Sequence, residues 1–164
     1  MYSYIKNVFW LPKPNKVELY FTDSIPPIEK VAAVFVYVFN SDGELLLAND
    51  RKDRWNIPGG GRDEGESVID TAIRETVEEA CVKIKNVKIV AHQRLLVDGK
   101  PPQDYRRPYP EAYEVFVSAI VDEELPFKES DEMIARKYFS IENAIKEDGI
   151  LFENRRVILD KILE

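Results

Sequence analysis

The stretch Gly60-Gly61-Arg62-Asp63-Glu64-Gly65-Glu66-Ser67-Val68-Ile69-Asp70-Thr71-Ala72-Ile73-Arg74-Glu75-Thr76-Val77-Glu78-Glu79-Ala80-Cys81-Val82 decides how the rest of the chain is read. Within it, Ile69, Ala72, Ile73, Thr76, Val77 and Ala80 recur at helical spacing, which predicts a helix over 67–80 that buries this face. Glu75, Glu78 and Glu79 stand at i, i+3 and i+4 on the other side, so three carboxylates project together. Like charges at these spacings oppose helix formation unless something balances them, and a bound cation would. Magnesium takes hard oxygen ligands, commonly one or two carboxylates with waters and substrate phosphates. Arg74, four residues before Glu78, has a guanidinium fork able to hold a carboxylate in one rotamer. Glutamates on a helix face are more often simply solvated, so the spacing alone does not decide.

Outward from this segment the chain alternates strand and helix signals. Upstream, Trp55-Asn56-Ile57-Pro58 leads into Gly59-Gly60-Gly61, suited to backbone conformations that side chains forbid. Val31–Phe39 is nearly all apolar, β-branched or aromatic, as a strand buried on both faces would be. The turn signal Asn40-Ser41-Asp42-Gly43 and the run 44–48 complete a hairpin. Downstream, 83–97 and 112–121 read as strands, separated by a loop carrying Pro101, Pro102, Pro108 and Pro110. The segment 137–140 suggests a short strand, and 141–146 and 152–163 read as closing helices. Residues 1–30, broken by Pro12, Pro14, Pro26 and Pro27, read as an irregular arm with one strand at 17–21. Mixed strands with helices on both sides predict an α/β/α sandwich, one domain of 1–164 with its core and closing helices in 31–164.

Bulk properties narrow the function. With 164 residues and 45% hydrophobic content the chain can build its own core. A net charge of −7 argues against binding nucleic acid polymers, which takes a basic face. It leaves a small phosphorylated substrate open, because a divalent cation inverts the field at an acidic site. Cys81 is the one cysteine, so no intramolecular disulfide can form. No secretory signal or membrane-length apolar run is visible, and the expected compartment is the cytoplasm.

The 60–82 stretch resembles the Nudix box: a Gly, five residues, a Glu, seven residues, then Arg-Glu-apolar-any-Glu-Glu-any-Gly-apolar. Gly60, Glu66, Arg74, Glu75, Glu78, Glu79 and Val82 match in register. Thr76 stands where an aliphatic residue is usual, and Cys81 stands at the last Gly, where the family ends its helix in a left-handed conformation. A Cβ there costs about 1 kcal/mol, so the helix is expected to end differently. The resemblance implies a Nudix fold and metal-dependent hydrolysis of a nucleoside diphosphate linked to another group, with Mg2+ or Mn2+ as cofactor. Carried onto this chain, it implies Glu75, Glu78 and Glu79 as metal ligands, with the carbonyl of Gly59 and the support of Glu66 through water. Arg74 would orient the glutamates. The general base is left between Glu75 and Glu132.

Other residues carry weaker signals. Arg106 and Arg107, beside Tyr105 and Tyr109, could grip phosphate and stack a base, or simply lie in an exposed loop. Arg54, with Arg51 and Trp55, borders the glycines and could reach substrate. His92, the one histidine, lies in a strand-like run where a structural role is the simpler reading. The arm, with Tyr2, Tyr4, Phe9 and Trp10, could cover a sheet edge or exchange with a second subunit, leaving a homodimer open. Nucleoside triphosphates are the favoured substrate class, and a Nudix-fold sensor that binds a nucleotide without cleaving it is the competing reading.

Overall fold

A computed structural model describes residues 1–164. Nine strands form a mixed sheet: β1 (Ser3–Lys6), β2 (Asn15–Phe21), β3 (Val31–Phe39), β4 (Leu45–Asp50), β5 (Trp55–Asn56), β6 (Gly59–Gly61), β7 (Val82–Val97), β8 (Glu111–Glu124) and β9 (Met133–Phe139). The spatial order is β1-β2-β7-β8-β3-β4-β5, with β6 on β3 and β9 on β4. Only β3 and β8 run parallel, from Val31 beside Tyr113 to Phe39 beside Ile120. Helix α1 (Val68–Ala80) covers one face; α2 (Ile141–Ala144), α3 (Asp148–Leu151) and α4 (Arg155–Leu163) lie on the other.

Alternation along β3 explains the two layers. Val34, Val36 and Val38 point into a cluster with Val68, Ala72 and Ala80 of α1 and Val115 and Val117 of β8. Tyr37 points the other way, into a cluster with Phe116, Ile150, Ile158 and Leu159, and its hydroxyl donates to the Arg155 carbonyl at 2.8 Å. Central β3 is therefore apolar on both sides, as the 31–39 run predicts.

The arm is more ordered than its prolines suggest. Both β1 and β2 extend the sheet, with β2 pairing along β7 from Asn15↔Val97 to Phe21↔Ala91. Val8, Leu11 and Val17 pack with Leu95, Val97 and Ala112 in a third cluster. The buried Asn15 side chain fastens the turn, accepting from the Val8 amide at 2.9 Å and donating to the carbonyls of Val8 and Leu11. These pairings are made within one chain.

Two expectations about α1 need correction. Its inward face is made by Val68, Thr71, Ala72, Glu75, Thr76 and Ala80, while Ile69 and Ile73 are 45% and 40% exposed. The helix is thus rotated so that two of its glutamates turn toward the protein. The helix end also departs from expectation: Cys81 adopts the left-handed conformation (φ 53°, ψ 41°) that its Cβ was expected to discourage. Local partners offset that cost. The Cys81 amide bonds back to Val77, its sulfur lies 3.4 Å from the Lys128 amide, and Arg136 of β9 donates to the carbonyls of Ala80 and Cys81, each at 2.6 Å. No helix is long and apolar enough to cross a membrane.

Candidate active site

The site is assembled from α1 and the glycine strand β6. Ser67 caps α1 by accepting from the Asp70 amide, and the Asp70 carboxylate accepts from the Ser67 amide in return, so the helix start is set by local chemistry. Strand β6 pairs with β3 through Ala33↔Gly61, Val34↔Gly60 and Phe35↔Gly59. Side chains cannot enter here. A Cβ on Gly59 would sit 2.4 Å from the Val34 carbonyl oxygen, and one on Gly60 would meet the Glu75 carboxylate at 2.7 Å. The glycines therefore let α1 bring its carboxylates against the backbone of β6.

Arg74 is the hub of the box. Its Nε donates to Glu66 at 2.7 Å, one terminal nitrogen to Glu75 at 2.8 Å and Glu78 at 3.2 Å, and the other to the Gly61 carbonyl at 2.8 Å. Glu66 also accepts from the Thr71 hydroxyl at 2.9 Å and the Asp63 amide at 3.1 Å. These donors, Arg74 first, hold the Glu66 carboxyl down at about 2, so it is a fixed anion that keeps Arg74 in place.

Glu75 and Glu79 are different. Glu79 accepts from the Gly59 amide at 2.9 Å, and burial pushes its carboxyl up to about 8, with the charges of Glu75, Glu132 and Glu78 adding to the rise. Burial likewise raises Glu75, with Arg74 opposing and Glu78 and Glu132 reinforcing. Residues 130–132, directly before β9, thus bring Glu132 into the electrostatic reach of the box, although it lies 53 residues beyond Glu79 in sequence (132 − 79). That loop is latched by Arg51, which donates to the carbonyls of Asp131 and Ser130 and pairs with Glu129 at 2.9 Å. The carboxylates do not converge on one point: Arg74 holds Glu75 and Glu78, the Gly59 amide holds Glu79, and no three acidic, histidine or cysteine side chains form a metal-sized group. As a donor set, several mutually repelling hard oxygens, held by Arg74 and the Gly59 amide, are of the kind a divalent cation takes.

On the other side of β6 opens a cleft of about 990 Å3. Gly59–Gly61 form one wall, the arm at Phe9–Pro12 a second, and the proline-rich loop with Tyr105, Arg106 and Arg107 a third. Both loop arginines thus line the cleft. Arg54 does not: it forms an ion pair with Asp50 at 2.6 Å beyond the end of β4. Trp55 packs edge-on against Phe139 at 5.1 Å, and His92 packs between Tyr20 and Tyr113, each a structural arrangement.

The NUDIX domain family model matches residues 29–161. This chain belongs to the Nudix family. Among its relatives, the diphosphoinositol polyphosphate phosphohydrolase 3-beta of Bos taurus is 33% identical over 139 residues, covering 82% of this chain and 76% of that one. The 3-alpha protein of Mus musculus is 35% identical over the same length and shares of the two chains. The fold matches that of the Bacillus subtilis pyrophosphohydrolase with a TM-score of 0.70, at 18% identity, over 98% of this chain and 95% of that one. The chain is accordingly a Nudix hydrolase with a mixed sheet flanked by helices.

Sequence reasoning passed over Glu114 and the arm's contribution to a wall at Trp10 and Leu11, while Tyr105 was noted beside the loop arginines. Glu114 had a signal: an acid between Ala112 and Phe116, on the inward-facing alternation of an apolar strand. The arm had none, because its place depends on β2 pairing with the distant β7.

Proposed function

We propose that this Nudix hydrolase cleaves a phosphoanhydride bond in a nucleoside diphosphate-linked substrate by in-line attack of water at phosphorus. The observation that carries this reading is the box carboxylates set against the glycine strand whose other side walls the cleft. Glu75, Glu78 and Glu79, with the Gly59 carbonyl, would hold Mg2+ or Mn2+, and Glu66 supports the set by anchoring Arg74. When bound, the ion supplies charge neutralisation for the phosphate oxygens and acidifies a coordinated water.

The chain's own groups do the rest. Arg74 orients Glu75 and Glu78. The Gly59 amide fixes the Glu79 rotamer. A water attacking phosphorus must give up a proton, and the acceptor is Glu75 or Glu132, whose charges are felt together in the box. Arg106 and Arg107 are the cations available to substrate from the opposite wall, while Arg54 is committed to Asp50. Nucleoside triphosphates are the first class to test; diphosphoinositol polyphosphates belong in the panel because relatives are named for them. The cytoplasm is the compartment this reading keeps.

The test is phosphate release, with an added phosphatase, from nucleoside triphosphates, dinucleoside polyphosphates, ADP-ribose-like compounds and diphosphoinositol phosphates, with magnesium, manganese or chelator. Chelator-sensitive release from one class supports the reading. Silence across the panel with nucleotide binding retained supports a non-catalytic binding module instead.

A further inference from the structure

The cleft contains a carboxylate that the hydrolytic chemistry leaves unused. Glu114 of β8 lines it and is only 7% exposed. Its nearest cation, Arg107, is 3.9 Å away, beyond hydrogen-bond distance, and no donor of the chain satisfies it. The Tyr105 hydroxyl, in the facing wall, is also buried without a partner. Buried polar groups are normally satisfied, and leaving one bare is costly. A carboxylate this little exposed, lining a cleft and held by one long ion pair, points to a ligand that supplies its donors.

The remaining lining narrows the ligand. Trp10, Phe35 and Tyr105 supply aromatic surface, and Phe35 is stacked at 5.5 Å on Phe116 behind it. Arg107 lies over the Trp10 ring at 5.3 Å, and the Trp10 indole is fixed by a hydrogen bond to Glu153 at 2.5 Å. The charge balance is unfavourable to a ring bearing many phosphates. Glu29, Glu64, Asp104 and Glu114 face Arg62, Arg106 and Arg107, and Arg62 is already occupied by the carbonyls of Val31, Asp63 and Glu66. A flat, uncharged ring with adjacent donors suits this lining better. Of the four RNA bases, guanine alone presents two adjacent N–H donors on its pairing edge, N1–H and the N2 amine; adenine and cytosine pair a donor with an acceptor, and uracil has one donor between two acceptors.

We propose that this cleft is a guanine subsite, in which Glu114 accepts from N1–H and the N2 amine while Trp10 and Phe35 flank the base. This deepens the nucleotide reading and rests on it for the direction of the phosphates, which would leave the cleft across Gly59–Gly61 toward the box carboxylates. Burial pushes the Glu114 carboxyl up to about 7, against Arg107 and Arg155 and with Glu153 adding; donors on both oxygens favour the ionised form.

The test is calorimetric binding of GMP, IMP, AMP and inositol hexakisphosphate to the full chain and to Glu114→Gln. These ligands contain no nucleoside-linked anhydride, so the series is independent of turnover. GMP is expected to bind at least about tenfold more tightly than IMP, which lacks the N2 amine, and than AMP, in line with losing a hydrogen bond to a charged group. Glu114→Gln is expected to shrink the GMP preference to within about threefold while leaving AMP binding unchanged. Equal binding of the three mononucleotides, a preference that survives Glu114→Gln, or inositol hexakisphosphate binding more tightly than GMP overturns the proposal. Should Glu114→Gln fail to fold, the ranking on the unaltered chain decides alone. Turnover without base preference would sink the guanine subsite and spare the hydrolase reading; base preference without turnover would do the reverse.

Discussion

At the scale of single residues, the box separates charges that are fixed from charges that are free to respond. Glu66 is locked by Arg74, Thr71 and the Asp63 amide, whereas Glu79 has one amide donor and a buried, raised carboxyl. Glu79→Gln retains an oxygen for the Gly59 amide and removes a carboxyl whose ionised form burial and the neighbouring acids oppose. It is therefore expected to cut turnover about a hundredfold or more while thermal unfolding stays unchanged or moves up. Glu78→Gln should do the same to turnover; near-normal rates in both variants would refute the metal site. Glu114 gives a pH prediction with a definite sign. Its folded carboxyl titrates near 7, above its ordinary value near 4.5, so the folded chain holds a proton that the unfolded chain releases. Its contribution to stability is present below about 4.5 and falls away as pH rises toward about 7. Denaturant midpoints at pH 5 and pH 8 should therefore differ less in Glu114→Gln than in the parent; an unchanged difference would contradict the assigned burial.

At the scale of elements, α1 shows where a pattern in sequence is informative and where it misleads. The existence of the helix and its bounds near residues 67 and 80 were legible from periodicity. The buried face was not. Ile69 and Ile73 carry the stronger hydrophobic signal, yet the helix turns Glu75 and Thr76 inward because β6 has no side chains to exclude them. The Cys81 end offers a clean test of local strain against local contact. Cys81→Gly removes the cost of a Cβ at φ 53° but also removes the sulfur beside Lys128. The strain term is the larger, so chemical denaturation should show a gain of about 1 kcal/mol. A loss would mean that the sulfur contact outweighs the backbone.

At the scale of the whole molecule, the site depends on segments far apart in the chain. The arm's Phe9–Pro12, the proline-rich loop and the Glu132 loop meet around β6 only because β2 pairs with β7 and β9 pairs with β4. Arg51 is the coupling that can be tested without touching the box. Arg51→Ala frees the Glu129–Asp131 segment and should lower turnover about three- to tenfold through Glu132, with unfolding shifted by less than about 1 kcal/mol because the pair is exposed. Unchanged turnover would remove Glu132 from the reaction. What the sequence by itself determined was local: the box helix, the glycine run and the doubly buried β3, each encoded by spacing and backbone chemistry within a few turns or one strand. Only the tertiary structure decided which face of α1 is inside, that the arm becomes two strands and a cleft wall, and that Glu114 and Tyr105 line one cavity. Those facts follow from pairings between residues tens of positions apart, and periodicity within a segment carries no information about its distant neighbours.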